Sequence, residues 1–256
     1  MKTVLVTGAG SGIGEATARL LAERDYAVGA LGHTASELDA VVDSINGNGG
    51  KAVALYADVT DEAAMRAAAE KLAGTFGGID AVVVNAGING VWAPIDDLKP
   101  DEFDKTIAVN LKGTYLTLHT TVPYMKRAGG GSIAVVASIN GTRTFTNPGA
   151  TAYSATKAAQ YAMVQQLAVE LGQHKIRINA VCPGAIDTEI DDNTDIRNRS
   201  QAEVPIKYPK GPIPLTGKEP GAAVDVAAAI AFLLSDAARH VSGTPIWVDG
   251  GQGLVR

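Results

Sequence analysis

The chain has 256 residues, 46% of them hydrophobic and 19% charged, with a formal net charge of −5, which suits a globular protein with a substantial core. Lys and Arg are scattered without a basic stripe, which argues against nucleic acid as a partner. A single cysteine, Cys182, excludes an internal disulfide; no Cys/His spacing suits a metal, and no apolar run reaches membrane-span length, so a cytoplasmic protein without a leader or membrane anchor is expected.

In chain order, apolar runs predict strands at 3–7, 27–31, 52–56, 81–84, 133–137, 176–181 and 246–248. Alanine-rich segments with helical periodicity lie between them, among them 14–24, 62–76 and 152–171. Runs such as Val83-Val84 and Val135-Val136 are continuous rather than alternating, the mark of strands buried on both faces. Repeated strand–helix alternation argues for a parallel sheet with helices on both sides. Right-handed crossovers then favour a doubly wound, three-layer α/β fold. We expect one domain over 1–256, with an excursion at about 185–221 that carries Pro205, Pro209, Pro212, Pro214, Pro220 and the acidic pair Asp191-Asp192. So many prolines fit no single regular element, and a long irregular segment in a compact domain is commonly a lid or binding loop.

The chain opens with TVLVTGAGSGIG. Val4-Leu5-Val6 reads as a strand, and Gly8, Gly12 and Gly14, with Ser11 and Ile13 between them, lead into a helix. Such glycines let the backbone turn sharply and approach a pyrophosphate, while the helix N-terminus offers unpaired N–H groups. Further on, Ser138 closes the fifth strand, and Tyr153 and Lys157 share one helix face at i and i+4. A free phenol, with a pKa of about 10, is a poor base at neutral pH, and a neighbouring ammonium lowers that value.

The glycine spacing, G-x-x-x-G-x-G, and the motifs that follow it resemble the short-chain dehydrogenase/reductase family along essentially the whole chain. They are Asp58-Val59, Asn85-Ala86-Gly87, Asn110 within VNLKG, Ser138, Tyr153-x-x-x-Lys157, and Pro183-Gly184 followed by Ile186 and Thr188. The resemblance implies a Rossmann-like fold with a seven-stranded parallel sheet, assembled as a homotetramer or homodimer. It also implies NAD(P)-dependent interconversion of a secondary alcohol and a ketone. Tyr153 would be the acid/base and Lys157 would lower its pKa and hold the nicotinamide ribose. Ser138 would bond the substrate oxygen, and Asn110 would anchor a water relaying protons to Lys157. Asp58 and Val59 would meet the adenine, Asn85-Ala86-Gly87 the ribose, and Thr188 the nicotinamide amide, beside Pro183, Gly184 and Ile186.

In dinucleotide folds an acid after the second strand selects NAD. Gly32 and His33 stand there instead, so NADP is expected slightly ahead of NAD, with His33 and Thr34 near its phosphate and Ser11, in the glycine loop, at the family's other basic position. Thr34-x-x-Glu37 also reads as a capping box for the next helix. Candidate substrate residues are Asn89, Trp92, Asn140, Arg143 and Phe145. The Ser138–Tyr153 stretch is longer than usual for the family, and the turn at Asn147-Pro148-Gly149 is expected to absorb the extra length. A 3-oxoacyl thioester, a sugar or polyol, and a steroid-like ketone all remain open as substrates. The other readings are an epimerase or dehydratase, and a dinucleotide-binding sensor or scaffold without chemistry. His119, His174 and His240 are assigned to packing or surface.

Overall fold

The computed structural model describes residues 1–188, 190, 194–204 and 213–255. Its centre is built from strands without a polar face. In β1 (Lys2–Thr7), Leu5 joins one apolar cluster while Val4 and Val6 join the other. The same division recurs in β2 (Tyr26–Gly32), β3 (Lys51–Tyr56), β4 (Ala81–Val84), β6 (Gly131–Val136), β7 (Ile176–Pro183) and β11 (Pro245–Val248). These seven strands form one parallel sheet in the order β11-β7-β6-β4-β1-β2-β3. Helices α3 (Glu62–Phe76), α5 (Gly113–Ala128) and α6 (Thr151–Gly172) cover one side. Helices α1 (Gly12–Glu23), α2 (Ala35–Gly47) and α7 (Ala223–Leu234) cover the other, giving the three layers expected.

Strand order reverses between β1 and β4, so the carboxyl ends Thr7-Gly8 and Val84-Asn85 meet at a switch point, where open α/β sheets bind ligands. Beyond β4 the chain forms a short strand, β5 (Gly90–Trp92), and then α4 (Pro100–Ile107). A π-helical turn, Ala108–Lys112, joins α4 to α5 and places Asn110 wholly inside. The extra residue of a π turn commonly serves a functional site.

Two small parallel pairs organise the proline-rich excursion. β8 (Ile186–Asp187) pairs with β10 (Gly221–Ala222), joining the two ends of the segment. Between them β9 (Thr194–Ile196) pairs with β5. Asp191, Asp192, Pro205, Pro209 and Pro212 lie outside the described residues.

Strand β6 ends at Val136, and the Ala137 amide still donates to the Val181 carbonyl of β7 at 2.8 Å, so Ser138 stands just past the strand as expected. One local expectation is corrected. Thr34 does stand at the start of α2 in extended conformation, but its side chain makes no cap bond. The capping box is not formed, because Glu37 turns to the glycine loop, where its carboxylate rests against Gly10.

Candidate active site

The glycine loop is shaped by backbone requirements. Gly8 and Gly12 adopt φ values of 64° and 52°, which glycine favours. A Cβ on Gly14 would collide with the Gly8 carbonyl and stand 2.7 Å from Asn85 Nδ2. Asn85 braces the loop directly, with its Nδ2 donating to the carbonyls of Thr7 (3.0 Å) and Gly8 (3.3 Å). The Thr7 hydroxyl accepts from the amides of Asn85 (2.9 Å) and Ala86 (3.1 Å), which closes the β1–β4 corner. Ser11 occupies the cap position of α1 but makes no side-chain cap bond, so the first-turn N–H groups keep no side-chain acceptor. Uncapped amides beside a loop whose only side chains are small, Ala9 and Ser11, fit the pyrophosphate of a dinucleotide. Thr188 reaches the same loop: its Cβ and Cγ2 would stand 3.3 Å from a Cβ on Gly12.

Just beyond β3, Asp58 is held below the usual carboxylate range. The Thr60 amide bonds it at 2.8 Å, and the Thr60 hydroxyl, also at 2.8 Å, adds to that, with His33 contributing through its charge. Val59 is buried against Gly113.

Tyr153, Thr156, Lys157 and Gln160 lie on α6 at i, i+3, i+4 and i+7, a single face turned inward, and all four are buried. Lys157 Nζ donates to the Val136 carbonyl at 2.9 Å, two residues before Ser138, and lies 5.5 Å from the Tyr153 ring centroid. Burial pushes the Lys157 ammonium down to about 8. Among the described residues no carboxylate pairs with it, so its remaining N–H donors suit neutral acceptors such as ribose hydroxyls. Ser138 Oγ accepts from the Asn140 amide at 3.1 Å, which leaves its own hydrogen to donate.

Asn110 is engaged at every polar atom of its side chain. Oδ1 accepts from the Ile88 amide at 2.8 Å, and Nδ2 donates to the Ile88 carbonyl at 2.9 Å and to Thr156 Oγ1 at 3.2 Å. Its main-chain carbonyl, freed by the π turn, accepts from Thr114 Oγ1 (2.7 Å) and Gln160 Nε2 (2.8 Å). The Gln160 and Thr156 contacts are not among the residues picked out in the sequence. Their spacing from Tyr153, polar side chains on the inward stripe of a buried helix, is the signal that points to them.

The wall beside Tyr153 is built from β5 and the excursion. Trp92 in β5 lies 6.4 Å from the Tyr153 ring, centroid to centroid, tilted by 44°, so β9 runs beside the wall next to the phenol. Asn89 Nδ2 donates to Thr194 Oγ1 at 2.7 Å. Just beyond β9, Arg197 makes a latch. Its Nε bonds Asp97 Oδ2 at 3.0 Å, and its two terminal nitrogens bond both oxygens of Glu102 at 2.9 and 2.8 Å. This fork-on-fork geometry holds the Glu102 carboxyl down at about 2 and raises the Arg197 guanidinium. No local motif marks Arg197 in the sequence.

Asn140 is buried beside Ser138 and takes a bond from Asn147 Nδ2 at 2.9 Å. The Asn147-Pro148-Gly149 turn lies outside the sheet, and Gly149 packs on Trp92 and Ala93. Arg143 and Phe145 are not gathered with Tyr153. The Arg143 guanidinium carbon sits 3.6 Å from the Trp247 ring centroid, beside Gly253, and the Phe145 side chain is exposed. Cys182 is buried, which pushes its thiol up to about 11. His119 stacks on Tyr115 at the surface of α5. Among the described residues no cluster of three metal-ligating side chains occurs, and no helix is long and apolar enough to cross a membrane.

Comparison with known proteins places these features in context. A family model described as short chain dehydrogenase matches residues 2–199. The chain is 38% identical over 256 residues to cis-4-hydroxycyclohexanecarboxylate dehydrogenase of Sinomonas cyclohexanicum, covering 99% of this chain and 97% of that one. A solved structure described as a 3-ketoacyl-ACP reductase from Sinorhizobium meliloti 1021 is 61% identical, with a TM-score of 0.95 over 99% of this chain and 100% of that one. A 3-ketoacyl-(acyl-carrier-protein) reductase from Brucella melitensis, solved with NADH, is 32% identical with a TM-score of 0.87, covering 98% of each chain.

Proposed function

The chain belongs to the short-chain dehydrogenase family and is a nicotinamide-dependent oxidoreductase of CH–OH groups; we propose that it interconverts a secondary alcohol and a ketone through Tyr153. The observation that carries the role of Tyr153 is the buried Lys157 ammonium, 5.5 Å from the ring and without a carboxylate partner among the described residues. A fixed positive charge in a dry site favours the phenolate over the phenol. When bound, the dinucleotide supplies or accepts the hydride. Tyr153 gives its hydroxyl proton to the carbonyl oxygen in reduction and takes it from the alcohol in oxidation. Ser138, with its oxygen accepting from the Asn140 amide, keeps its hydrogen to donate to the same substrate oxygen.

Asn110 acts chiefly through position. A Cβ on Gly87 would stand 3.3 Å from Asn110 Oδ1 and 3.7 Å from Lys157 Nζ. Gly87 therefore keeps those two atoms within reach of one bridging water, which supports the relay expected from the sequence. Gly8, Gly12, Gly14 and Asn85-Ala86-Gly87 would hold the dinucleotide, with Asp58 on the adenine side and Thr188 and Pro183-Gly184 on the nicotinamide side. Asn89, Trp92 and Asn140 line the substrate side.

Replacing Tyr153 with Phe abolishes turnover on a panel of alcohols and ketones, followed at the reduced-nicotinamide absorbance band, while dinucleotide affinity stays within about twofold. Retained turnover in that variant refutes the role. A second reading, 3-oxoacyl thioester reduction, is favoured by the 61% identity to the Sinorhizobium meliloti structure. It requires kcat/KM on a 3-oxoacyl thioester to exceed that on cyclic alcohols and sugars. A cytoplasmic homodimer or homotetramer completes the proposal, with exposed Tyr115, Val169 and Phe232 as apolar side chains for subunit contacts.

A further inference from the structure

In dinucleotide folds the carboxylate that selects NAD stands at the end of the second strand. Here that place holds Gly32, which has no side chain, followed by His33. Another carboxylate faces the corner from the helix. Glu37, in the first turn of α2, lies on the glycine loop: a Cβ on Gly10 would be 2.8 Å from Glu37 Oε2 and 2.9 Å from Glu37 Cβ. Gly10 has no side chain, and that is what lets the carboxylate settle there. The alternative use of Glu37, capping the backbone at Thr34, is not taken up. Among the described residues no cation pairs with Glu37.

The charges around this corner all bear on one question. Segments 7–14, 32–40 and 57–60 contain no Lys or Arg. Ser11, in the loop, is neutral, and His33 is exposed, with no ion pair among the described residues. Lys112 is bonded to the Thr60 carbonyl at 3.2 Å, at the far end of the strip. Arg19 is engaged by Glu15 and Ser44. A 2′-phosphate would bring close to two negative charges beside a carboxylate with no fixed cation to balance them, whereas a 2′-hydroxyl can donate a hydrogen bond to it.

We infer that Glu37 is the cofactor-selecting residue, taking the adenosine ribose hydroxyl from the helix instead of the strand end and turning the protein toward NAD(H) over NADP(H). The inference rests on the dinucleotide reading above, and it reverses the lean toward NADP that His33 suggests in the sequence.

Equilibrium titration of the full chain with NADH and with NADPH, read by nicotinamide fluorescence without substrate, tests it. The unaltered protein binds NADH at least about tenfold tighter. Glu37→Gln reduces that preference to about threefold or less, mainly by improving NADPH, and Glu37→Lys inverts it. Glu37 is exposed, and thermal melting confirms that each variant folds. A preference for NADPH in the unaltered protein, or a ratio that Glu37→Gln leaves unchanged, overturns the inference and leaves the oxidoreductase reading intact. Binding of neither dinucleotide overturns both.

Discussion

The proposed cofactor side and the proposed substrate side of this site are held by different kinds of bond. The glycine loop is fixed by backbone geometry at Gly8, Gly12 and Gly14 and by Asn85, which bonds main-chain carbonyls. The substrate side is fixed by side chains meeting across about a hundred positions: Arg197 with Asp97 and Glu102, and Asn89 with Thr194. A contact made by backbone tolerates little change, because a Cβ added at Gly14 meets the Gly8 carbonyl and one added at Gly8 crowds Asn85 and Ala86. A contact between side chains can be exchanged for another without disturbing the sheet. One hydride-transfer chemistry can therefore be kept while the substrate it serves is changed.

The contrast can be broken or sharpened by substitution. The largest effect is expected from Gly14→Ala, which forces the loop away from the Gly8 carbonyl and weakens dinucleotide binding by about a hundredfold or more, measured by titration. Gly74→Ala, at a helical glycine with open space around it, leaves affinity unchanged and raises the melting temperature slightly, so it controls for the substitution itself. Arg197→Ala is expected to raise substrate KM by about tenfold while dinucleotide affinity moves less than twofold. Equal losses in both would erase the distinction between the two sides.

The smallest expected effect is that of pH on the latch. The Glu102 carboxyl is depressed to about 2, so its pairing with Arg197 is complete above the ordinary carboxylate range and is lost only as pH falls through about 2. Substrate KM therefore stays level between about pH 8 and pH 4 as far as the latch is concerned. A rise in KM near pH 4.5 that disappears in Glu102→Gln would show that the pair is weaker than its geometry.

What could be read from the sequence follows the same division. Continuous valine runs disclose strands buried on both faces, and the glycine loop and the Tyr153/Lys157 pair are local patterns, so these elements are legible. Gln160 and Thr156 were within reach, since both repeat the inward spacing of Tyr153. Arg197 was not: its partners lie 95 and 100 residues away, and an arginine after a three-residue strand carries no local signal. Glu37 departs from the cap its sequence suggests for a physical reason. A glutamate three residues after a threonine does fit a cap, and only the empty side of Gly10 offers it a different place. Arg143 was placed near the substrate by proximity to Ser138 in sequence, but the loop carries it to Trp247.

The buried ammonium of Lys157 also has a consequence for folding. Its pKa falls from 10.5 to about 8 in the folded protein, so between those values the unfolded chain binds more protons. Folding is opposed in full below about pH 8, by about 3 kcal/mol, and the opposition fades as pH rises toward 10.5. Lys157→Met, inactive as an enzyme, should therefore melt at a higher temperature than the natural chain at pH 7, with the gap narrowing by pH 10. The residue proposed to ready the phenol for chemistry is a strain on the native state, and the fold tolerates it because the two apolar layers around the sheet supply stability elsewhere.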